Sequence, residues 1–397
     1  MKIFISVLSV NEIGGISTSL INFLNYLRHD NEVDLCVLCN YISPKVCIPD
    51  GINIIQGVSI LEDCYIERSK LKNQSVFRRL MRNIIRLFRR VLGLQTILDY
   101  ALRSFFIDKE YDISIAFTND QYDKKGHLWV GGCYDLVKNR VNSKHKIAWI
   151  HNDAIKCGFT PEISKKIFAE FDSIVHVSYD NKAIFDEIAP IFKEKSYVVY
   201  NFYDIENIYI KSKEISNPYS TNGKLHFVTV CRLYEEQKKV SRILEAVDKL
   251  NKEGVNTFDW TIVGSGKDLG SYLHFINENE LYDIVKFVGL KKNPYPYMLN
   301  ADAFVLSSQY EGFGMTIKEA QILGTPTFVT EFGPAHEAVI HGKQGEICEN
   351  SSSGVYSMIK RILDNPSLLV TYKKYLKENQ VNNDMAIKQF NILAQQR

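Results

Sequence analysis

Tyr310-Glu311-Gly312-Phe313-Gly314-Met315-Thr316-Ile317-Lys318-Glu319-Ala320 places two carboxylates eight residues apart around a glycine-bracketed turn. The apolar run Ala303-Phe304-Val305-Leu306 leads into it and has the character of a buried strand. Ile317 to Leu323 reads as a helix, stopped by Gly324 and Pro326. The segment is therefore strand, tight turn, helix, with Glu311 in the turn and Glu319 about two helical turns further on. Free N–H groups at a helix N-terminus that follows two glycines favour an anion. A carboxylate beside them can hold hydroxyls of whatever carries that anion, which suits a sugar phosphate or a nucleotide sugar.

Outward from this segment, strand-like and helix-like runs alternate along the chain, the pattern of α/β domains with parallel sheets. Strands are predicted at 2–10, 33–39, 112–117, 146–150, 173–177 and 197–200, then at 225–231, 258–263, 284–288, 302–306 and 326–330. Phe202 to Gly223 is polar and aperiodic, with Pro218 and Ser220, and reads as an interdomain linker. The expected division is 1–203 and 204–375, two doubly wound Rossmann-like domains facing each other across a cleft. A last helical segment, about 376–397 in the simplest division, would pack back on the first domain.

A chain of 397 residues with 45% hydrophobic and 24% charged side chains is long enough for two or three well-filled domains. A net charge of +2 gives no general case for nucleic-acid binding. Of eight scattered cysteines, only Cys36-Val37-Leu38-Cys39 has metal-like spacing. It lacks a second pair and lies in an apolar strand, so a zinc site is disfavoured and a reducing, cytoplasmic setting expected. The apolar start, Ile3 to Val10, runs into Asn11-Glu12 without a small-residue cleavage site, and reads as a first strand. No apolar stretch reaches the length of a membrane span.

Arg232 and Lys238 follow the predicted strand Phe227-Val228-Thr229-Val230-Cys231, where a planar fork and a point charge suit a diphosphate. Taken alone, such a loop is more often merely solvated. Gly264-Ser265-Gly266 ends the next strand in a turn that lets a ligand approach backbone closely; the missing third glycine argues against hydride transfer. Gly14-Gly15 precedes an apolar helix after the first strand, and His151 lies just past the strand Ile147 to Ile150, at the same rim as Gly15. A lone histidine is as readily structural as catalytic.

In combination and order, Arg232 with Lys238, Gly264-Ser265-Gly266, Asn293-Pro294-Tyr295-Pro296-Tyr297-Met298, Glu311 with Glu319, and Gly333, Glu337, Gly342 and Gly345 resemble the retaining family-4 glycosyltransferases of the GT-B fold. The likeness covers about 224–350; the first domain is similar mainly through Gly14-Gly15, Trp149-Ile150-His151-Asn152 and Asn201. The chain looks most like bacterial members that build capsule, lipopolysaccharide or other surface glycans.

That resemblance implies roles. Arg232 and Lys238 would neutralise the donor diphosphate in place of a metal, with no cofactor needed. Glu311 would hold donor-sugar hydroxyls, helped by the backbone of Gly312, Phe313, Gly314, Met315 and Thr316. Glu319 would bind the ribose, Gly15 would lie against the diphosphate, and His151 would touch the donor sugar. Lys238 follows Arg232 by six residues where the family more often has five, so Lys239 is an alternative. The implied activity is retaining, metal-independent hexosyl transfer from a UDP-sugar, by front-face attack, to a glycan or lipid-linked acceptor. A nucleotide-sugar epimerase and a non-catalytic GT-B subunit that stabilises a partner transferase are the competing readings.

Residues 69–96 carry eight lysines and arginines and no acid. Phe77, Leu80, Met81, Ile84, Ile85, Phe88, Val91 and Leu92 recur at helical spacing, with Arg78, Arg79, Arg82, Arg86, Arg89 and Arg90 between them. This is the pattern of an interfacial helix on the anionic inner face of a membrane, or of a helix that packs its apolar stripe on the sheet.

Overall fold

Near-continuous apolar runs become parallel strands covered on both faces. The computed structural model describes residues 1–11, 14–65, 76–103, 105–220 and 222–395. It divides into two units, Met1–Phe202 with Asp384–Arg397, and Tyr203–Asn383.

The first unit contains β1 (Lys2–Val7), β2 (Glu32–Val37), β3 (Ile52–Gln56), β4 (Glu110–Ala116), the short antiparallel pair β5 (Gln121–Tyr122) and β6 (Leu128–Val130), β7 (Asn142–Ile150), β8 (Ser173–His176) and β9 (Ser196–Val198). Its parallel sheet runs β3-β2-β1-β4-β7-β8-β9, with Ile3 opposite Val33 on one side and Ile113 on the other. The helices are α1 (Gly15–Leu27), α2 (Ser59–Tyr65), α3 (Val76–Arg103), α4 (Cys133–Arg140), α5 (Pro161–Phe168) and α6 (Tyr179–Ile188).

The second unit opens with α7 (Ile205–Ser212), inside the stretch read as a linker. The Asp204 carboxylate caps it by accepting from Asn207 N at 3.2 Å, Ile208 is buried, and Tyr209 donates its hydroxyl to the Ile322 carbonyl. The linker reading fails because one capping carboxylate and one buried stripe suffice for a two-turn helix that tertiary contacts hold. Next come β10 (Leu225–Val230), α8 (Glu235–Lys238), α9 (Val240–Lys252), β11 (Phe258–Val263), α10 (Leu269–Glu278), β12 (Val285–Gly289), α11 (Tyr295–Leu299), β13 (Ala303–Leu306), α12 (Met315–Ile322), β14 (Thr327–Thr330), α13 (Ala335–Ala338), β15 (Gly345–Cys348), α14 (Ser352–Asp364) and α15 (Ser367–Glu378). The sheet is parallel, in the order β12-β11-β10-β13-β14-β15. Both units are doubly wound, Rossmann-like domains, and the fold class is α/β.

The chain returns to the first unit through α16 (Asp384–Ala394). Phe390 is buried there, with its ring centroid 5.0 Å from Phe23, and Gln389 Oε1 accepts from Tyr200 N at 3.0 Å. The chain thus passes between units twice, at 202/203 and at 383/384. Tyr203 N donates to Asn383 Oδ1 at 2.9 Å and Asn383 Nδ2 donates to the Tyr203 carbonyl at 2.8 Å, so the two passages are tied side by side.

Helix α3 covers part of the basic stretch; residues 69–75 lie outside the described residues. Two of the arginines expected on its polar face are not there. Arg82 is 2% exposed, and Arg89 donates to the carbonyls of Cys64 and Trp129, each at 2.7 Å. An arginine whose donors reach neighbouring carbonyls anchors a helix as firmly as an apolar side chain does.

Candidate active site

In each sheet the strand order reverses between two adjacent strands, β1 and β4 in the first unit, β10 and β13 in the second. Loops leaving such strands diverge and open a crevice, the usual ligand position in doubly wound sheets. In the second unit they are the loops that carry Arg232 to Lys239 and Ser307 to Glu319.

The β10 loop turns through the single-turn helix α8, and Lys239 then adopts a left-handed conformation at φ 48°. Ser307, directly after β13, donates its hydroxyl to the carbonyls of both Lys238 and Lys239, at 3.0 and 2.9 Å. Gln309 N donates to the Gln237 carbonyl at 2.7 Å. So stitched, the loops bring the Lys238 ammonium onto Glu311 Oε1, which also accepts from the Ser308 hydroxyl at 2.6 Å. Both charged side chains are largely withdrawn from water, 14% and 7% exposed. Lys239 instead points to Glu235, 3.6 Å away. Lys238 is therefore the lysine that faces Glu311, and the six-residue spacing is taken up by α8. Arg232 is exposed beside them, its guanidinium 5.8 Å from the Tyr234 ring centre and donating to Gln237 Oε1 at 3.2 Å.

After Glu311 the chain passes through Gly312, buried Phe313 and Gly314, and α12 begins at Met315, two residues earlier than its apolar pattern indicates. Gly314 has φ 79°, and a Cβ there would lie 2.7 Å from Ile317 Cδ1. No side chain caps this helix and its first turn carries no acid, so the end keeps its positive character. Glu319 sits on the buried face of α12, where Tyr295 donates its hydroxyl to Oε1 at 3.4 Å. With so little to replace water, burial pushes the Glu319 carboxyl up to about 7.

The glycines after β11 have a structural partner. A Cβ on Gly264 would lie 1.9 Å from the Cys231 carbonyl oxygen, and one on Gly266 would lie 2.0 Å from that of Leu233. What approaches them closely is the Arg232 loop itself, which Ser265 holds by accepting from Leu233 N at 2.9 Å. They shape the loop that carries the cations.

In the first unit Gly15 is the exposed first residue of α1, and space is open around a Cβ on Gly14. His151 is buried past the end of β7, its ring centroid 4.5 Å from Phe117 and 6.0 Å from Trp149. Burial pushes its imidazole down to about 3, so the ring is neutral. It bonds to the Phe117 backbone, while Nε2 is buried with no partner among the described residues. Asn119, at the end of β4, accepts from His151 N at 3.3 Å. Gly15 and His151 thus belong to a different unit from Arg232, Lys238, Glu311 and Glu319. Sequence reasoning passed over Ser307, Ser308 and Asn119. Their signal is positional: each is a small polar residue within three places of the carboxyl end of a strand at the reversal.

Compared with known proteins, the chain is 24% identical over 243 residues to an N-acetyl-alpha-D-glucosaminyl L-malate synthase of Bacillus anthracis, a match covering 59% of this chain and 63% of that protein. Among solved structures it is similar to Anabaena HepE in complex with UDP and glucose, with a TM-score of 0.70, 15% identity and full coverage of both chains. It is also similar to the apo form of the lipopolysaccharide outer core galactosyltransferase WaaB, with a TM-score of 0.61, 18% identity and 98% coverage of both chains. These likenesses give the chain the GT-B fold. Residues 211–379, nearly all of the second unit, match the family model described as glycosyl transferases group 1.

Proposed function

We propose that the chain is a retaining family-4 glycosyltransferase that moves a sugar from a UDP-sugar to a growing bacterial surface glycan. The observation that carries this reading is the Lys238–Glu311 pair beside Arg232 at the strand-order reversal of the second unit. Without donor, cation and carboxylate neutralise each other. A diphosphate competes for Lys238 and Arg232, and the released Glu311 carboxylate accepts hydroxyls of the sugar being transferred. Glu319 receives the ribose and the α12 N-terminus faces negative charge.

The bond from the anomeric carbon to the diphosphate oxygen breaks, and its electron pair leaves with the nucleoside diphosphate. The acceptor hydroxyl oxygen bonds to the same face of that carbon, and its proton passes to the departing phosphate. Fixed cations lower this barrier because they are in place before the charge develops. The same reading assigns Gly15 to the diphosphate and His151 to the donor sugar. The UDP and glucose bound by HepE support a uridine donor, and the likeness to the lipopolysaccharide outer core galactosyltransferase WaaB supports a surface-glycan acceptor.

The test is turnover and hydrolysis of a panel of UDP-, GDP- and ADP-sugars by the purified chain. Glu311→Ala and Lys238→Ala should each lower kcat by about 100-fold or more, the usual effect of losing one preorganised electrostatic contact. A pure chain that neither binds nor hydrolyses any donor would sink the reading in favour of a non-catalytic subunit.

A further inference from the structure

Helix α3 presents its apolar stripe in opposite directions along its two halves. Beyond Gly93, where φ is 82° and the helix kinks, Leu94, Ile97, Leu98, Ala101 and Leu102 are buried in the first unit's core. Before it, Leu80, Ile84, Leu87, Phe88, Val91 and Leu92 are exposed, Leu87 by 61% and Val91 by 71%. At helical spacing these six share an arc of about 140°. The face holding this half to the domain is Arg82, Ile85 and Arg89, all at other positions on the helical wheel. Arg89 alone spans two carbonyls and stands 5.5 Å from the ring centres of both Tyr65 and Trp129. The usual rule for a domain helix, apolar side inward, is reversed here, and the cationic anchors hold it so.

Charge selects the occupant of the exposed stripe. Arg79 and Arg90, both exposed, fall together along one edge of it, and residues 69–96 contain no acid at all. A protein interface usually carries both signs, whereas a single sign beside a continuous apolar strip suits a bilayer surface of anionic headgroups over hydrocarbon. The exposed strip from Leu80 to Leu92 is about 20 Å long and convex, so it can lie in the plane of a membrane. Trp129, 61% exposed and held against Arg89, supplies the amphipathic ring favoured at that depth.

We propose that the first half of α3 docks the protein on an anionic phospholipid surface, immersing Leu80, Ile84, Leu87, Phe88 and Val91 among the lipids with Arg79 and Arg90 at the headgroups. This rests on the helix alone and holds whatever the second unit catalyses. The measurement is sedimentation of the full chain with vesicles of phosphatidylcholine alone, and of equal parts phosphatidylcholine and phosphatidylglycerol. Binding is expected to the mixed vesicles only, weakening with salt. Arg79→Ser and Arg90→Ser together should lower partitioning about 30-fold, taking about 1 kcal/mol for each cation near the surface. Leu87→Ser with Val91→Ser should lower it by about tenfold or more. Because these side chains face outward, the thermal unfolding of both variants should match the parent, which separates loss of docking from loss of fold. Arg82 and Arg89 are unsuitable targets because they hold the helix in place. Equal binding to neutral vesicles, binding unaffected by either variant, or no binding to any vesicle would overturn the proposal. So would a dimer in solution that the Leu87→Ser, Val91→Ser variant dissociates, since the stripe would then be covered by a second copy.

Discussion

Glu311 and Glu319 occupy neighbouring parts of one motif but opposite electrostatic settings. Glu311 has the Lys238 ammonium and the Ser308 hydroxyl. Breaking such a buried pair leaves one charge uncompensated, so Lys238→Ala or Glu311→Ala should each cost about 3–5 kcal/mol of stability. The double variant Lys238→Met, Glu311→Leu should recover most of that in urea unfolding, with activity still absent; a double variant as unstable as the singles would refute the pairing. Glu319 has burial and one long hydrogen bond, and its carboxyl is held up to about 7. Its protonated form is favoured in the folded chain, so stability is full in acid and falls as pH rises from about 4.5 to about 7. Glu319→Gln should therefore be more stable than the parent by up to about 3 kcal/mol at about pH 8, and equal to it at about pH 4. Parallel stability curves for the two proteins would show that the buried charge is already compensated.

Among the elements, legibility follows burial. Ala303-Phe304-Val305-Leu306 and Phe227-Val228-Thr229-Val230 are continuous apolar runs in central strands, and sequence alone finds them. β3 (Ile52–Gln56) and β15 (Gly345–Cys348) are edge strands missed in the sequence; the first has three isoleucines but is mostly exposed, and the second is begun by a glycine and has only Ile347 and Cys348 as apolar residues. The orientation of α3 was equally hidden, because an apolar stripe at helical spacing reads the same whether it points in or out. Only the carbonyls that meet Arg89 decide the direction. The glycine turn after β11 was visible as a turn, but what it admits was not, since the Cys231 and Leu233 carbonyls arrive from another strand. Gly264→Ala should cost about 1–3 kcal/mol by overpacking. It should also displace the Arg232 loop and so lose donor-induced thermal stabilisation; a variant that unfolds and binds donor like the parent would contradict this role.

For the whole molecule, the cations and carboxylates of the candidate site were legible because all four lie in the two segments, loop and following helix, after strands β10 and β13 of one sheet. His151 was legible only as a position: its neutral state comes from burial, with the Phe117 and Trp149 rings packed against it, which no local pattern encodes. The attachment of α16 to the first unit was equally long-range, since it depends on Phe390 meeting Phe23. Phe390→Ala should destabilise the first unit by about 3–5 kcal/mol in calorimetry, yet leave the donor-dependent rise in Tm of the second unit intact. Simultaneous loss of both would show that the units do not unfold separately. The tied passages at Tyr203 and Asn383 make the second unit an insertion within the first. On the ribosome, residues 203–383 are complete before α16 exists, so the inserted unit can finish folding while the host still exposes the seat of Phe390. Birth order and chain order are thus inverted: the half that starts first closes last.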